Sequence, residues 1–251
     1  VSGTVADKPA RLVAADEPVE LTGPPPRFVS RGGEKLASAL TRFAIDVTGR
    51  RVLDAGASTG GFTDCLLQSG AAAVFAVDVG RGQLHQRLRS DRRVTSLERV
   101  DIRDVTLDTV GGRPVDAVTA DLSFISVVRA IPVLVGGVAG PEAPVVILVK
   151  PQFEAGRAEA SRGKGVIRDP AIHRRTLGEV AGALDDAGAV IMGAMPSPIT
   201  GPAGNIEFLL HARTPASAPP PTGGRAPDQP RADYRDLLDA AVDEAHRDGG
   251  G

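Results

Sequence analysis

Between residues 29 and 212, short apolar runs alternate with segments whose apolar residues recur every three or four positions. The runs at 51–55, 74–79, 94–98, 115–120, 144–149, 189–194 and 205–211 predict strands. The intervening stretches 34–44, 61–69, 82–90, 124–138 and 170–187 predict helices. Runs such as "VVILV" are apolar on both faces, as strands are when helices cover both sides of a sheet. The expected fold is therefore α/β: a doubly wound, mostly parallel sheet of seven strands. A domain over 29–212 carries it.

The flanks break this rhythm. Residues 1–28 hold two short β-like pieces, "ARLVA" and "PVEL", before the break "GPPPR" (23–27), which reads as a linker because a proline run blocks a helix. The long stretch 151–168 is rich in Gly, Arg and Lys and predicts a functional loop. Residues 213–231 are Pro-rich and predict a second linker. The end of the chain, 232–248, predicts an amphipathic helix. Tyr234, Leu237, Leu238, Ala241, Val242 and Ala245 share one face, which is expected to pack back on the core.

Composition narrows the function classes. The 251 residues are 42% hydrophobic and 24% charged, enough for one sizeable core. The net charge of −2 gives no broad basic field, so any nucleic-acid contact must use a local patch. Cys65 is the single cysteine, which excludes an internal disulfide and fits a reducing compartment. No basic region followed by an apolar stretch opens the sequence, and no run approaches the roughly 20 residues of a membrane span. A cytoplasmic protein without membrane contact is expected, and no metal site is predicted.

The first predicted strand of the sheet runs into "LDAGASTGGFTD". Two chemistries fit this turn. Gly56-Ala57-Ser58-Thr59-Gly60 matches the G-x-S-x-G nucleophile elbow of serine hydrolases, but four histidines in all and a first-strand position leave a triad hard to assemble. The second reading is a cofactor cradle at the switch point of the sheet. Asp78 ends the second strand, 24 residues after Asp54, near the ~20 expected for an acid that holds a ribose. G-x-G-x-x-G is absent, and an acid before the first glycine suits a positively charged cofactor better than a pyrophosphate. S-adenosylmethionine is such a cofactor.

Three further pieces place a charged residue at a strand end or within an apolar strand: Asp121 in "ADLSFIS", Lys150 in "LVKPQFE" and Glu207 in "GNIEFLL". The ends of parallel strands converge on a ligand crevice. With "VSRGGEKL", "LDAGASTGGFT", "GVIRDP" and "SPITGPAGNIEF", they resemble, in order, the TlyA family of ribosomal-RNA 2′-O-methyltransferases within the FtsJ-like group. The resemblance implies a Rossmann-like methyltransferase domain and a Lys-Asp-Lys-Glu tetrad at Lys35, Asp121, Lys150 and Glu207. A ribose hydroxyl is a weak acid, so its oxygen must be aligned with the donor methyl and its proton drawn off. Lys150 is expected at the centre, as base or as orienting charge, with Lys35 and Glu207 orienting and Asp121 bridging.

The resemblance also implies a cofactor pocket of Asp54, Gly56, Ser58, Gly60, Gly61 and Phe62, with Asp78 on the ribose and Asp101 and Ile102 at the adenine. It implies ribosomal RNA or a ribosomal subunit as partner, and an N-terminal RNA-binding module of which 1–28 matches only the closing β-part. Arg27, Arg31, Arg157, Arg162, Lys164 and Arg168 are the candidate phosphate contacts. The competing functions are a serine hydrolase, a haemolysin, and an RNA-binding protein without catalysis.

Overall fold

The computed structural model describes residues 1–6, 12–20, 25–216 and 233–247. Seven strands form one sheet: β1 (Arg51–Ala55), β2 (Ala73–Asp78), β3 (Val94–Glu98), β4 (Ala117–Ala120), β5 (Pro144–Val149), β6 (Val190–Pro196) and β7 (Phe208–Arg213). Their spatial order is β3-β2-β1-β4-β5-β7-β6. The first five strands pair in parallel, and β7 is antiparallel to both β5 and β6. The chain starts mid-sheet at β1, winds to one edge and returns at β4, so the carboxyl ends of β1 and β4 flank the switch-point crevice. Because β7 is inserted antiparallel, its first residue, Phe208, lies opposite the last residue of β5, Val149. The start of β7 therefore faces the same crevice.

All six residues of β5 are buried, which explains its unbroken apolar run. Successive residues of β1 split between the faces: Val52 belongs to the apolar cluster that holds Leu36, Leu66 and Leu148, and Leu53 to the one that holds Val118, Ile147 and Leu177. The first face is covered by α1 (Gly32–Arg42) and α2 (Gly61–Gln68). The second is covered by α6 (Pro170–Asp186) and by α7 (Arg235–Arg247), whose Leu238, Ala241 and Val242 are buried, while Leu237, expected on the same face, is 43% exposed at its margin. Short helices α3 (Gln86–Arg89), α4 (Pro151–Glu154) and α5 (Arg157–Arg162) complete the set.

Several elements depart from the pattern. The helix expected over 82–90 is reduced to α3, because Gly82 takes a φ of +66° and His85 caps only the following turn. The helix expected over 124–138 is replaced by a 3₁₀ turn, Val127–Arg129, and a π turn, Pro132–Gly137. Phe124 sits at a φ of +69° and Pro132 brings no N–H, so a continuous α-helix cannot form there. Strand β7 starts at Phe208 rather than at 205, since the Gly201 N–H bonds back to the Asn205 carbonyl in a tight turn. Glu207 therefore precedes the strand instead of lying within it. Within 151–168, residues 151–154 and 157–162 fold into α4 and α5, and 163–168 stays a loop.

Among the described residues of 1–20 no strand forms, and Val5, Leu12 and Val19 are exposed; residues 10, 11 and 21 of the two β-like pieces lie outside the described residues. The Pro-rich stretch begins later than 213, because Arg213 ends β7 and Thr214 bonds to Ala143 and Gly140. Its remainder, 217–231, lies outside the described residues, as do residues 232 and 248 at the two ends of the expected C-terminal helix.

Candidate active site

Two pairs of glycines bring α1 against the sheet end. A Cβ at Gly61 would stand 2.3 Å from Ser30 Oγ and 2.9 Å from the Gly33 nitrogen, and one at Gly33 would overlap the Phe28 ring. This close approach lets Lys35, in the first turns of α1, reach the start of β7. There its ammonium forms an ion pair and hydrogen bond with Glu207 Oε2. The other oxygen, Oε1, accepts from Gln152 Nε2 at 3.2 Å. Lys150, directly after β5, lies 2.5 Å from Asp121 Oδ1, directly after β4, and donates to Ser123 Oγ at 2.7 Å. The Lys35 and Lys150 residues are only 7% and 9% exposed, so both ammonium groups depend on these partners.

The four charges thus divide into two neutral pairs, Lys35–Glu207 and Lys150–Asp121. Asp121 belongs to the Lys150 pair and forms no bridge to Lys35. All four line one cavity of about 510 Å³, together with Gly56, Ser58, Gly61, Phe62, Phe124 and Asn205. That volume suits a drug-sized ligand.

The glycine turn is built differently from an anion cradle. Gly56 and Gly60 take φ of +83° and +99°, and Ser58 is left-handed at +49°. The Gly56 and Ala57 N–H groups both donate to the Val77 carbonyl, and the Ser58 N–H donates to Asp78 Oδ2. Three successive amides therefore tie the turn to the end of β2 instead of facing the cavity. A Cβ at Gly56 would stand 2.5 Å from the Asp121 carbonyl oxygen, and one at Gly60 2.2 Å from Leu88 Cδ1. Only glycine lets the turn lie this close to β4 and α3.

Asp54 does not line the cavity. It is fully buried beneath the turn, where Oδ2 accepts from Thr63 at 2.6 Å and Oδ1 from Thr119 at 3.3 Å. Burial pushes its carboxyl up to about 7, against the Thr63 hydrogen bond and with a smaller push from the Asp121 charge. Asp78 lines a small neighbouring cleft on the far side of Ala57 and Ser58, and its Oδ1 accepts from the Gly80 N–H. Asp101 lies outside both cavities. It caps a 3₁₀ turn and holds Arg103 at 2.6 Å, the bond that takes its carboxyl down to about 2. Ile102 is buried in the core beside it.

Of the candidate RNA contacts, Arg31 lines the cavity. Arg162, Lys164 and Arg168 are exposed along the segment whose Gly165 reaches the cavity wall. Arg27 is exposed, with its guanidinium 4.7 Å from the Phe28 ring centre. The side chain of Arg157 lies outside the described residues.

Sequence reasoning missed Ser123, Phe124 and Gln152. Phe124 is 89% exposed at the cavity, with its ring 5.5 Å from that of Phe153. Its signal was available: an aromatic within a strand-end motif of a chain that is 3% aromatic. The hydrolase reading fails on geometry. Ser58 Oγ donates to Gln83 Oε1, and none of the described histidines lines the cavity. Among the described residues, no group of three or more His, Cys, Asp or Glu is placed to hold a metal ion.

The family model for FtsJ-like methyltransferases matches residues 28–214. The chain belongs to this family. Among curated relatives, the 16S/23S rRNA (cytidine-2′-O)-methyltransferase TlyA of Mycobacterium tuberculosis is 48% identical over 215 residues, covering 85% of this chain and 79% of that protein. The rRNA 2′-O-methyltransferase branch named TlyA also reaches Campylobacter jejuni, whose protein is 31% identical over 73% of this chain and 70% of its own length. A solved structure described as a hemolysin from Streptococcus thermophilus superposes with a TM-score of 0.80 at 39% identity, over 92% of this chain and 78% of that one. In this FtsJ-like chain, no helix among the described residues is long and apolar enough to cross a membrane.

Proposed function

We propose that this chain transfers the methyl group of S-adenosylmethionine to a ribose 2′-hydroxyl of ribosomal RNA, with Lys35, Asp121, Lys150 and Glu207 as the reactive-end residues. The observation that carries this reading is the convergence of two buried ion pairs on one cavity beside the glycine turn. The cofactor supplies a methyl group activated by its sulfonium charge. With the Gly56, Ala57 and Ser58 amides taken by Val77 and Asp78, this part of the turn offers the cofactor small side chains and close approach in place of N–H donors for a pyrophosphate.

Lys150 pairs with Asp121 and Ser123, which leaves a third N–H to align the ribose oxygen and to stabilise the charge that develops as its proton leaves. Asp121, 23% exposed, accepts the hydroxyl hydrogen and passes the proton to water. Lys35, fixed by Glu207 and in turn by Gln152, holds the opposite wall. Asp78 keeps lone pairs free for the cofactor ribose beyond its bonds to Ser58 and Gly80. Asp54 serves from beneath the turn, whereas Asp101, held by Arg103 outside both cavities, and Ile102, buried in the core, are left without a cofactor role. Phe124 stacks the target base, and Arg31, Arg162, Lys164 and Arg168 take phosphates.

The test is single-turnover transfer of labelled methyl to ribosomal subunits and to naked ribosomal RNA, with Lys150→Met as the variant. Lys150→Met should bind the cofactor with unchanged affinity and lose at least about 100-fold in transfer rate, the range of a removed electrostatic contact. Transfer within twofold of the parent would remove Lys150 from this role.

A further inference from the structure

The C-terminal helix α7 ends in a histidine that the methyl-transfer chemistry does not use. His246 Nε2 lies 3.1 Å from Nδ1 of His173, a fully buried residue of α6. On its other side, His173 Nε2 lies 3.2 Å from the carbonyl oxygen of Ile167. A carbonyl only accepts, so His173 must carry its proton on Nε2 and leave Nδ1 as an acceptor. His246 must then be the donor, through Nε2–H. Burial favours the neutral form of His173 that this arrangement requires. The result is a one-way chain of hydrogen bonds from the end of α7 to the backbone at Ile167.

Ile167 is buried two residues after Gly165, which lines the active-site cavity. Its N–H donates to Asn205 Oδ1 at 2.9 Å, and Asn205 Nδ2 donates to the Gly165 carbonyl at 2.8 Å. Gly165 and Asn205 both line the cavity, and Asn205 is two residues before Glu207. Either side of this segment lie the exposed Lys164 and Arg168. The non-helical segment 163–168, a strap between α5 and α6, is therefore pinned from the cavity side by Asn205 and from behind by His173. Asn205 is covalently close to the tetrad, whereas the His173 pin depends on a helix 73 positions away in sequence.

We propose that His246 is a positioning residue for methyl transfer: through His173 it fixes the 163–168 strap that presents the cavity wall to RNA. This rests on the reading of the cavity as a methyltransferase site, but the pinning itself can be tested without any activity. Elsewhere α7 is held by surface ion pairs, Arg174 with Asp239 and Asp243, and Arg42 with Glu244, and by its buried apolar face. Losing the His246 donor should therefore loosen the strap without undocking the helix.

The experiment compares the full chain with His246→Leu, His246→Gln and Asp243→Asn. Gln returns an N–H donor near the position of Nε2, Leu returns none, and Asp243→Asn weakens an exposed α7 contact outside the relay. Native-state hydrogen exchange is read at the Ile167 amide, whose partner is Asn205. His246→Leu should speed that exchange about 10-fold, the size of one neutral hydrogen bond. His246→Gln and Asp243→Asn should leave it near the parent rate. In parallel, His246→Leu should lower kcat/KM for ribosomal RNA several-fold with cofactor affinity unchanged, and His246→Gln should recover it. Unchanged exchange in His246→Leu would overturn the proposal. So would equal acceleration in His246→Gln or Asp243→Asn, or faster exchange with full RNA turnover. A parent chain with no methyl transfer would instead refute the proposed function, while the exchange data still judge the relay.

Discussion

Asp54 offers a quantitative test of how the glycine turn is supported. Its carboxyl is fully buried between β1, α2 and β4, with Thr63 and Thr119 as partners. Burial raises it from an ordinary 3.8 to about 7. The sign follows from proton counting. Between those values the unfolded chain has released this proton and the folded chain has kept it, so folding weakens as pH rises. The stabilisation is complete below the unfolded value, near pH 4, and is lost as pH passes through about 7. A shift of about three units at ~1.4 kcal/mol each amounts to about 4 kcal/mol. Asp54→Asn keeps the shape and a neutral hydrogen-bonding group but cannot ionise. Its stability relative to the parent should therefore improve by up to about 4 kcal/mol between pH 4 and 8. Urea denaturation of both proteins at one-unit pH steps, followed by circular dichroism, reads this difference, and contributions shared by the two chains cancel. Parallel stability curves would refute the buried, protonated carboxyl and return Asp54 to the ligand side of the turn.

Other consequences are as direct. His211, buried against Phe43 at a ring distance of 5.3 Å, is held down to about 4 by burial and then by the Arg213 charge. Its folded value is depressed, so stability is lost as pH falls from about 6.5 through about 4; His211→Phe should lower the midpoint pH of acid unfolding. Phe124→Ala should raise KM for RNA at least about 5-fold, the lower end of base–aromatic stacking, with cofactor affinity and melting temperature nearly unchanged because the ring is exposed. Steady-state kinetics with a calorimetric cofactor titration checks this.

Much of the architecture was legible from periodicity, and the reasons are local. "PVVILV" is buried on both faces, so its pattern has no polar interruption to mislead. The centre of the amphipathic stripe of α7, Leu238, Ala241 and Val242, is buried, although Leu237 at its margin is not. Where tertiary constraints override local pattern, the sequence misleads. The stretch 124–138 has helix-like spacing, but the left-handed Phe124 and the proline at 132 break it into 3₁₀ and π turns. The antiparallel placement of β7 between β5 and β6 has no local signature, yet it brings Glu207 to the crevice.

At the site, residue types were readable but partners were not. Lys35 and Glu207 stand 172 positions apart, and only the fold shows that they pair with each other while Asp121 pairs with Lys150. An acid before a glycine turn reads as a ligand group, but the burial of Asp54 is set by Thr63 and Thr119 on other elements. The outward or inward direction of the turn amides depends on the Val77 carbonyl of the neighbouring strand, which no spacing rule encodes.

The central claim is the chemical position of the methyl mark. A ribose methylated on its 2′-oxygen protects the adjacent phosphodiester from alkaline cleavage, whereas a methylated base leaves that bond cleavable. Ribosomal RNA treated with the parent protein and labelled S-adenosylmethionine should therefore release its label in alkali-resistant dinucleotides, and RNA treated with Lys150→Met should carry almost none. Label recovered in single nucleotides would place the methyl on a base and contradict the account.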